Sequence, residues 1–155
     1  MTFCKWLENT SWALAISRSL WAYPYVQALH FSGLSLWVGT IAIVDLRFLG
    51  VAGRRQPAGQ FAEQLVPWTW TGFCIAVLGG FLLFSASAST FFYNPAFRIK
   101  LSLVLLGVVY HIVVQRKAGK WGQSLAIPTV AKLATLLELA LWISVITAAV
   151  EIPNH

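Results

Sequence analysis

Three ionisable residues lie deep inside apolar runs of this chain. His30 falls in "ALHFSGLSLWVG", His111 ends "KLSLVLLGVVYH", and Glu138 interrupts "LLELALWISV". A charge at the centre of a membrane-spanning helix costs roughly 2.5–3.5 kcal/mol on insertion scales, so such residues usually face the interior of a helix bundle and mark function. Imidazole can ligate haem iron or another metal, and imidazole and carboxyl groups can both bind and release protons. We therefore take these residues as the candidate functional groups. Asp45 lies near the end of its apolar run, where we expect it to form boundary salt bridges.

Lys100 and Glu138 are two candidate partners of His111. At 100° per residue, Lys100 and Gly107 lie on the same helix face as His111. Lys100, near the end of this run, would attract a haem propionate or an anionic substrate, and a hydrogen bond to Glu138 would allow His111 to be buried. Lys100 and Glu138 are therefore the candidate catalytic residues.

Small or aromatic residues share a helix face or a depth with the two histidines. These residues are Gly33, Trp37, Gly79, Gly80 and Gly107. Missing side chains beside an imidazole would admit a flat cofactor, which predicts a cofactor site at these positions. Glycine also lets transmembrane helices pack closely, and this alternative stays open.

The two imidazoles differ in predicted depth. Counting 1.5 Å per residue from the ends of the runs places them about 8 Å apart along the membrane normal. One haem held by both would need the two rings at nearly equal depth. Ligation by His30 alone, or with another partner, is therefore an alternative to a His30–His111 pair.

The elements that carry these residues are predicted to be membrane-spanning helices. The 155-residue chain is 58% hydrophobic and 10% charged, whereas a soluble domain carries about 25% charged residues. Residues 22–46, 66–88, 98–115 and 128–150 form apolar runs near the ~20 residues that cross a bilayer as a helix. We expect an all-α integral membrane protein, a four-helix transmembrane bundle in a single domain over 1–155.

The segment before the first run has a different pattern. Apolar and polar clusters alternate over residues 3–20, and Trp6, Trp12 and Trp21 suit the headgroup boundary. This favours an N-terminal interfacial helix, with a plain extension of the first span as the alternative.

Basic residues concentrate in the first and third connections between the runs, at Arg54, Arg55, Arg116, Lys117 and Lys120. Positive loops stay cytoplasmic, so both termini should face the opposite side, the periplasm of a bacterium. The net charge of +6 therefore reflects topology and does not indicate a nucleic-acid partner.

Several function classes are excluded or disfavoured by the sequence. Cys4 and Cys74 are the only cysteines, and their positions make a disulfide framework improbable. A Gly-rich phosphate loop, a nucleophile elbow and zinc-type cysteine spacing are all missing. Soluble enzyme chemistry is therefore not expected.

The pattern "ALH", six residues, "WVG", with His30, Trp37 and Gly39, resembles the first helix of two bacterial membrane families. These are the copper-resistance D type of inner-membrane protein and the membrane-embedded haem-binding protoporphyrinogen oxidase. The run from Lys100 to His111 is similar to the Lys-to-Tyr-His segment of that oxidase. The oxidase has a further histidine soon after its first helix, where this chain has Gly50 and Val51.

The resemblance implies a haem b redox protein of the bacterial inner membrane. His30 would be the first axial ligand, and His111 the second ligand or a proton-handling residue. Electrons and protons would pass from a porphyrinogen to a quinone, so the partners would be the lipid bilayer and a quinone or porphyrin.

Two other functions stay open. The first is handling of copper or another metal by a layer of Cys74, His111 and Glu138, although the single methionine argues against a copper pathway. The second is a non-catalytic subunit of a larger membrane complex or a homo-oligomer, with the histidines merely satisfied.

Overall fold

The structure is a computed structural model that describes residues 2–51, 57–122 and 127–150. Within these ranges the chain forms seven α-helices and no strand. They are α1 (Thr2–Glu8), α2 (Ser11–Arg18), α3 (Ala22–Phe48), α4 (Ala58–Ala86), α5 (Ala88–Tyr93), α6 (Pro95–Trp121) and α7 (Thr129–Val150). Helices α3, α4, α6 and α7 are each long and apolar enough to cross a membrane. The predicted all-α four-helix membrane bundle is confirmed, and the chain is a multi-pass membrane protein.

The four long helices form a closed ring in which each packs against two others. The neighbouring pairs are α3 with α4, α4 with α6, α6 with α7, and α7 with α3. Short connections make sequential helices run antiparallel, so the basic connections predicted after α3 and α6 share one end of the bundle. We call this end, with the C-termini of α3 and α6, the basic end, and the other end, which carries α5, the α5 end.

The interior of the ring is filled mainly by large apolar side chains. Trp37, Ile41, Trp142 and Val145 form the central cluster with Ala76. Leucines such as those at 105, 133 and 137 are exposed on the outside, where hydrocarbon is the solvent.

Helices α3 and α4 are in close backbone contact. A Cβ built on Gly33 would overlap the backbone nitrogen of Ala76, and one built on Gly72 would lie 2.5 Å from the backbone nitrogen of Trp37. Because lipid supplies no hydrophobic drive between helices, close van der Waals approach at small residues is a main source of their association.

The helices extend beyond the predicted apolar runs. Helix α4 begins at Ala58 and not at residue 66, and α6 covers Pro95–Trp121 and not 98–115. Hydropathy detects only the part of a helix that suits hydrocarbon, and both helices continue into polar sequence. Asn94 caps α6 by accepting a hydrogen bond from the Phe97 nitrogen at 3.2 Å.

The N-terminal segment forms two short helices where a single one over 3–20 was predicted. The break falls at Asn9 and Thr10, whose side chains donate to the carbonyl oxygens of Lys5 (2.8 Å) and Leu7 (2.6 Å). These side-chain bonds compete with continuation of the helix. Both helices pack on α4.

The same segment is tied to the α5 end of the bundle through Glu8. Its two carboxylate oxygens accept from the backbone nitrogen of Ser89 at 2.7 Å and from the Ser89 hydroxyl at 3.0 Å. Trp6 and Trp12 remain exposed, which suits an interfacial position.

Candidate functional site

A buried imidazole–carboxyl pair joins α6 to α7. His111 Nδ1 lies 2.6 Å from Glu138 Oε1, and the two residues are 9% and 1% exposed. Either the ring donates its Nδ1–H to a carboxylate or a carboxylic acid donates to the ring nitrogen. In both cases one proton lies between the two groups. The predicted His111–Glu138 hydrogen bond is confirmed.

A second carboxyl group faces the same place from α3. Asp45 is 1% exposed and lines, together with His111 and Glu138, a cavity of about 20 Å³. Thr69 contributes the wall from α4. All four spanning helices therefore supply a polar side chain to one small cavity, which is large enough for one water molecule.

Two polar atoms in this cluster lack a protein partner. Within the described part of the chain, Asp45 Oδ2 and His111 Nε2 are buried and make no hydrogen bond. An unsatisfied buried polar group costs about 1–3 kcal/mol. Because both residues line the cavity, the arrangement favours a polar occupant that bonds to both atoms.

Hydroxyl groups fix the wall of the cavity between α3 and α4. Thr69 Oγ1 donates to Thr40 Oγ1 at 2.9 Å, and Thr40 Oγ1 donates to the carbonyl oxygen of Trp37 at 2.9 Å. Thr40 and Thr69 are buried, so this series of hydrogen bonds fixes the register of α3 and α4 beside Asp45.

An aromatic layer closes the cluster off from the α5 end. The Trp37 ring lies 4.6 Å from Trp142 and 4.8 Å from Phe73, measured between centroids, in edge-to-face geometry. The cavity lies on the other side of this layer, among Phe48, Ala62 and other residues that line it toward the basic end.

His30 belongs to the half of the bundle beyond that layer. Its Nδ1 donates to the carbonyl oxygen of Ala76 at 2.7 Å, which leaves Nε2 of the neutral ring as an acceptor. The ring is half-buried against Gly80. Lys100 is also half-buried, near enough for its charge to act on the imidazole.

The two imidazoles do not face each other across a common site. The His30 ring contacts α4 at Ala76 and Gly80, whereas His111 lies beside Trp70 of the same helix, with 6.4 Å between ring centroids. These points differ by about 9 Å or more along α4.

Protein atoms occupy the space beside the glycines that were predicted to admit a cofactor. Gly33 abuts Ala76, a Cβ on Gly79 would lie 2.9 Å from the Cα of His30, and one on Gly107 would lie 3.2 Å from the Trp142 ring. These contacts favour close packing of the helices at the three glycines. The interior between the histidines therefore does not fit a haem held by both.

The predicted metal layer is not formed. Cys74 is exposed, whereas His111 and Glu138 are buried. In residues 2–51, 57–122 and 127–150, no group of three or more His, Cys, Asp or Glu side chains is arranged to hold a metal ion.

Asp45 is the candidate that sequence reasoning placed wrongly, as a boundary residue. Gly33, Trp37, Ile41 and Asp45 follow one another at intervals of four residues, and all are buried. Residues four apart share a helix face, so the spacing from Trp37 was the available signal.

Comparison with known proteins gives a family and no activity. Neither the curated proteins nor the solved structures searched contain a significant match to the chain. One family model matches residues 3–153, which is nearly the whole sequence. The chain therefore belongs to the family of unknown function DUF6644.

Proposed function

We propose that this protein transfers protons within the membrane and that Asp45, His111 and Glu138, hereafter the proton cluster, bind the transferred proton. The observation that carries the proposal is the 2.6 Å His111–Glu138 contact beside a third buried ionisable group, Asp45. Imidazole and carboxyl groups in hydrogen-bond contact are the usual means of moving a proton inside a bundle.

A purely structural role explains the cluster less well. Apolar side chains of similar volume often replace a buried ion pair with neutral or favourable effect, and in this chain Trp142 and Val145 pack that way along α7. In a purely structural cluster we would expect every buried polar atom to be hydrogen-bonded. Asp45 Oδ2 and His111 Nε2 both lack a hydrogen bond within the described residues.

Protons reach this cluster from the basic end. The cavity lies among residues near the C-termini of α3 and α6, and Trp37, Phe73 and Trp142 fill the bundle toward the α5 end. By the positive-inside rule we place the basic end in the cytoplasm of a bacterial inner membrane, with both termini periplasmic.

Infrared difference spectroscopy tests proton binding. Spectra of the bilayer-reconstituted protein at high and low pH should differ in the carbonyl stretch of protonated carboxyl groups. We expect Glu138→Gln and Asp45→Asn each to remove part of this signal, because each removes one carboxyl group of the proton cluster. Glu63→Gln, which changes an exposed carboxyl group on α4, is the matched control and should remove only the signal of a solvated carboxyl group.

The same spectra can overturn the proposal. If Glu138→Gln and Asp45→Asn leave the difference signal as it is in the unmodified protein, the buried carboxyl groups do not exchange protons with solution. A stoichiometric protein partner that co-purifies with such a silent cluster would support the accessory-subunit alternative.

A second candidate function, haem b binding for electron transfer, is supported by a separate observation. Histidines that ligate a metal usually donate their other ring nitrogen to a carbonyl or carboxylate, and His30 donates Nδ1–H to Ala76 at 2.7 Å. Nε2 of His30 would hold the iron at the edge of the bundle, and Lys100 would attract a propionate. Haem would supply one-electron redox chemistry, with a quinone or porphyrin as the reaction partner.

An absorption spectrum of the purified protein tests this candidate. Protein from haem-replete cells should show a Soret band that His30→Ala abolishes and that His111→Ala retains. A colourless protein, or a band that depends on His111 and not on His30, would contradict ligation at His30.

A further inference from the structure

The cavity of the proton cluster has the properties of a water site. We infer that it binds one water molecule that bridges Asp45 Oδ2 and His111 Nε2, and that a proton passes from Asp45 through this water and His111 to Glu138. The inference rests on the proposed function and adds the ligand and the order of transfer. Its basis is the pair of orphan atoms, one from α3 and one from α6, which belong to residues that line the same cavity.

The size and lining of the cavity select water among small ligands. Its volume of about 20 Å³ exceeds the roughly 10–15 Å³ that one water needs and leaves no room for an organic molecule. Asp45 Oδ2 and His111 Nε2 supply two of the two to four polar partners that a buried water takes, and Thr69 lies in the same wall. Apolar side chains such as Ile41 and Phe48 make up much of the rest, which is unsuited to an ion that needs several oxygen ligands.

The water completes a path that the protein atoms leave open. Glu138 Oε1 contacts Nδ1 of the His111 ring, so this ring already connects Glu138 to Nε2 on its far side. Within the described residues, Asp45 Oδ2 is likewise buried without a hydrogen bond, and Asp45 lines the same cavity. A single molecule between Nε2 and Oδ2 therefore joins the two carboxyl groups through one imidazole.

Each step of the transfer forms one bond and breaks one. The O–H bond at Asp45 Oδ2 breaks as the proton joins the water oxygen, and an O–H bond of that water breaks as Nε2–H forms on His111. The Nδ1–H bond of His111 breaks as an O–H bond forms at Glu138 Oε1. The net change is one proton from Asp45 to Glu138, with the water restored and His111 in its other tautomer.

Tyr110 is a further titratable group near the path, and Arg47 is a buried charged residue two positions from Asp45 on α3. Asp45 and Glu138 act on each other electrostatically, and Tyr110 of α6 is within reach of both. The Tyr110 hydroxyl donates to the carbonyl oxygen of Ala134 at 3.1 Å, outside the cavity lining. Helix α4 supplies Thr69 to the cavity and no ionisable group within the described lining.

Infrared spectra in ¹⁸O-labelled water test the bridging water directly. The difference spectrum between high and low pH should contain a water O–H stretching band that shifts in H₂¹⁸O. Ala118→Leu fills the cavity from α6 and replaces no ionisable residue, so it should remove this band. It should also slow the rise of the Glu138 carbonyl band after a pH jump by about tenfold or more. Ala140→Leu on the exposed face of α7 is the matched control and should change neither.

The outcomes separate this inference from the proposed function. A Glu138 carbonyl signal without an ¹⁸O-sensitive water band would overturn the water bridge and leave proton binding intact. If the unmodified protein gives no difference signal from buried carboxyl groups, both the water bridge and the proposed proton transfer are overturned. If Ala118→Leu does not assemble in the membrane, Ala62→Val fills the same cavity from α4; a band and a rate unchanged in that variant would likewise exclude the bridge.

Discussion

At the scale of single residues, the hydrogen bond between His111 Nδ1 and Glu138 Oε1 lowers the cost of burying both groups inside the bundle. Their contact of 2.6 Å lies about 14 Å along α7 from its first residue, away from the bulk water at the membrane surface. Burial at this depth makes a charged form of either group costly. Ionisable groups kept in such a position usually serve a function.

This interdependence predicts a non-additive effect on stability. His111→Leu leaves the Glu138 carboxyl group buried without its partner and should lower the free energy of unfolding by roughly 3–5 kcal/mol. The double variant His111→Leu with Glu138→Met removes both members of the pair, so it should be more stable than His111→Leu alone. Unfolding in mixed micelles measures both, and a double variant less stable than either single one would contradict the interpretation.

The sequence predicted one half of the proton cluster. The depth of residues 111 and 138 in their runs placed both in one layer, and their bond follows from the cost of leaving either alone. Asp45 was assigned to the boundary because the apolar run ends at residue 46, whereas α3 continues to Phe48. Whether Asp45 faces the interior or the outside depends on the rotation of α3 about its axis. That rotation depends in turn on how α3 packs against α4 and α7.

At the scale of elements, the close contact between α3 and α4 sets the geometry of the site. Gly33 and Gly72 allow the two backbones to touch, and the bond between Thr40 and Thr69 lies further along the same contact. Any increase in the distance between these helices would move Asp45 away from the cavity.

The contact predicts a clear difference between two glycines of α3. Gly33→Ala would force its Cβ into the backbone of Ala76 and should destabilise the protein by about 1–3 kcal/mol. Gly39 has nothing within 4 Å of a built Cβ, so Gly39→Ala should be neutral or slightly stabilising. Thermal unfolding in detergent compares the two, and equal effects would show that α3 and α4 are not in backbone contact at Gly33.

The existence and order of the spanning helices followed from hydropathy, but their contacts did not. Glycines beside an imidazole are equally compatible with a cofactor slot and with close packing, because composition does not show what occupies the space. The structure places Ala76, His30 and Trp142 there. The break between α1 and α2 was also missed, because the alternation of apolar and polar clusters over residues 3–20 does not show where one helix ends.

At the scale of the whole molecule, the bundle has two halves with different chemistry. The proton cluster lies toward the basic end, and His30 with Lys100 lies toward the α5 end. Trp37, Phe73 and Trp142 separate the two halves. A reaction that uses both would exchange protons on one side of the membrane only.

The one-sided arrangement predicts a definite topology. Single cysteines replacing the exposed residues Asn9 and Lys120, in a chain with Cys4→Ser and Cys74→Ser, report the two faces. A membrane-impermeant maleimide should label Asn9→Cys in bacterial cells with a permeable outer membrane, and Lys120→Cys only after the inner membrane is opened. The reverse pattern would place the proton cluster on the periplasmic side.

The most direct measurement of the proposed function is the ¹⁵N magnetic resonance of the His111 ring in bilayers. The chain has 3 histidines, so His30→Gln and His155→Gln leave this ring as the sole source of the signal. We predict that its nitrogen shifts change with pH while the protein stays folded, and that Glu138→Gln alters this change. A ring that keeps one protonation state and one tautomer at every pH compatible with the fold would contradict proton transfer at His111.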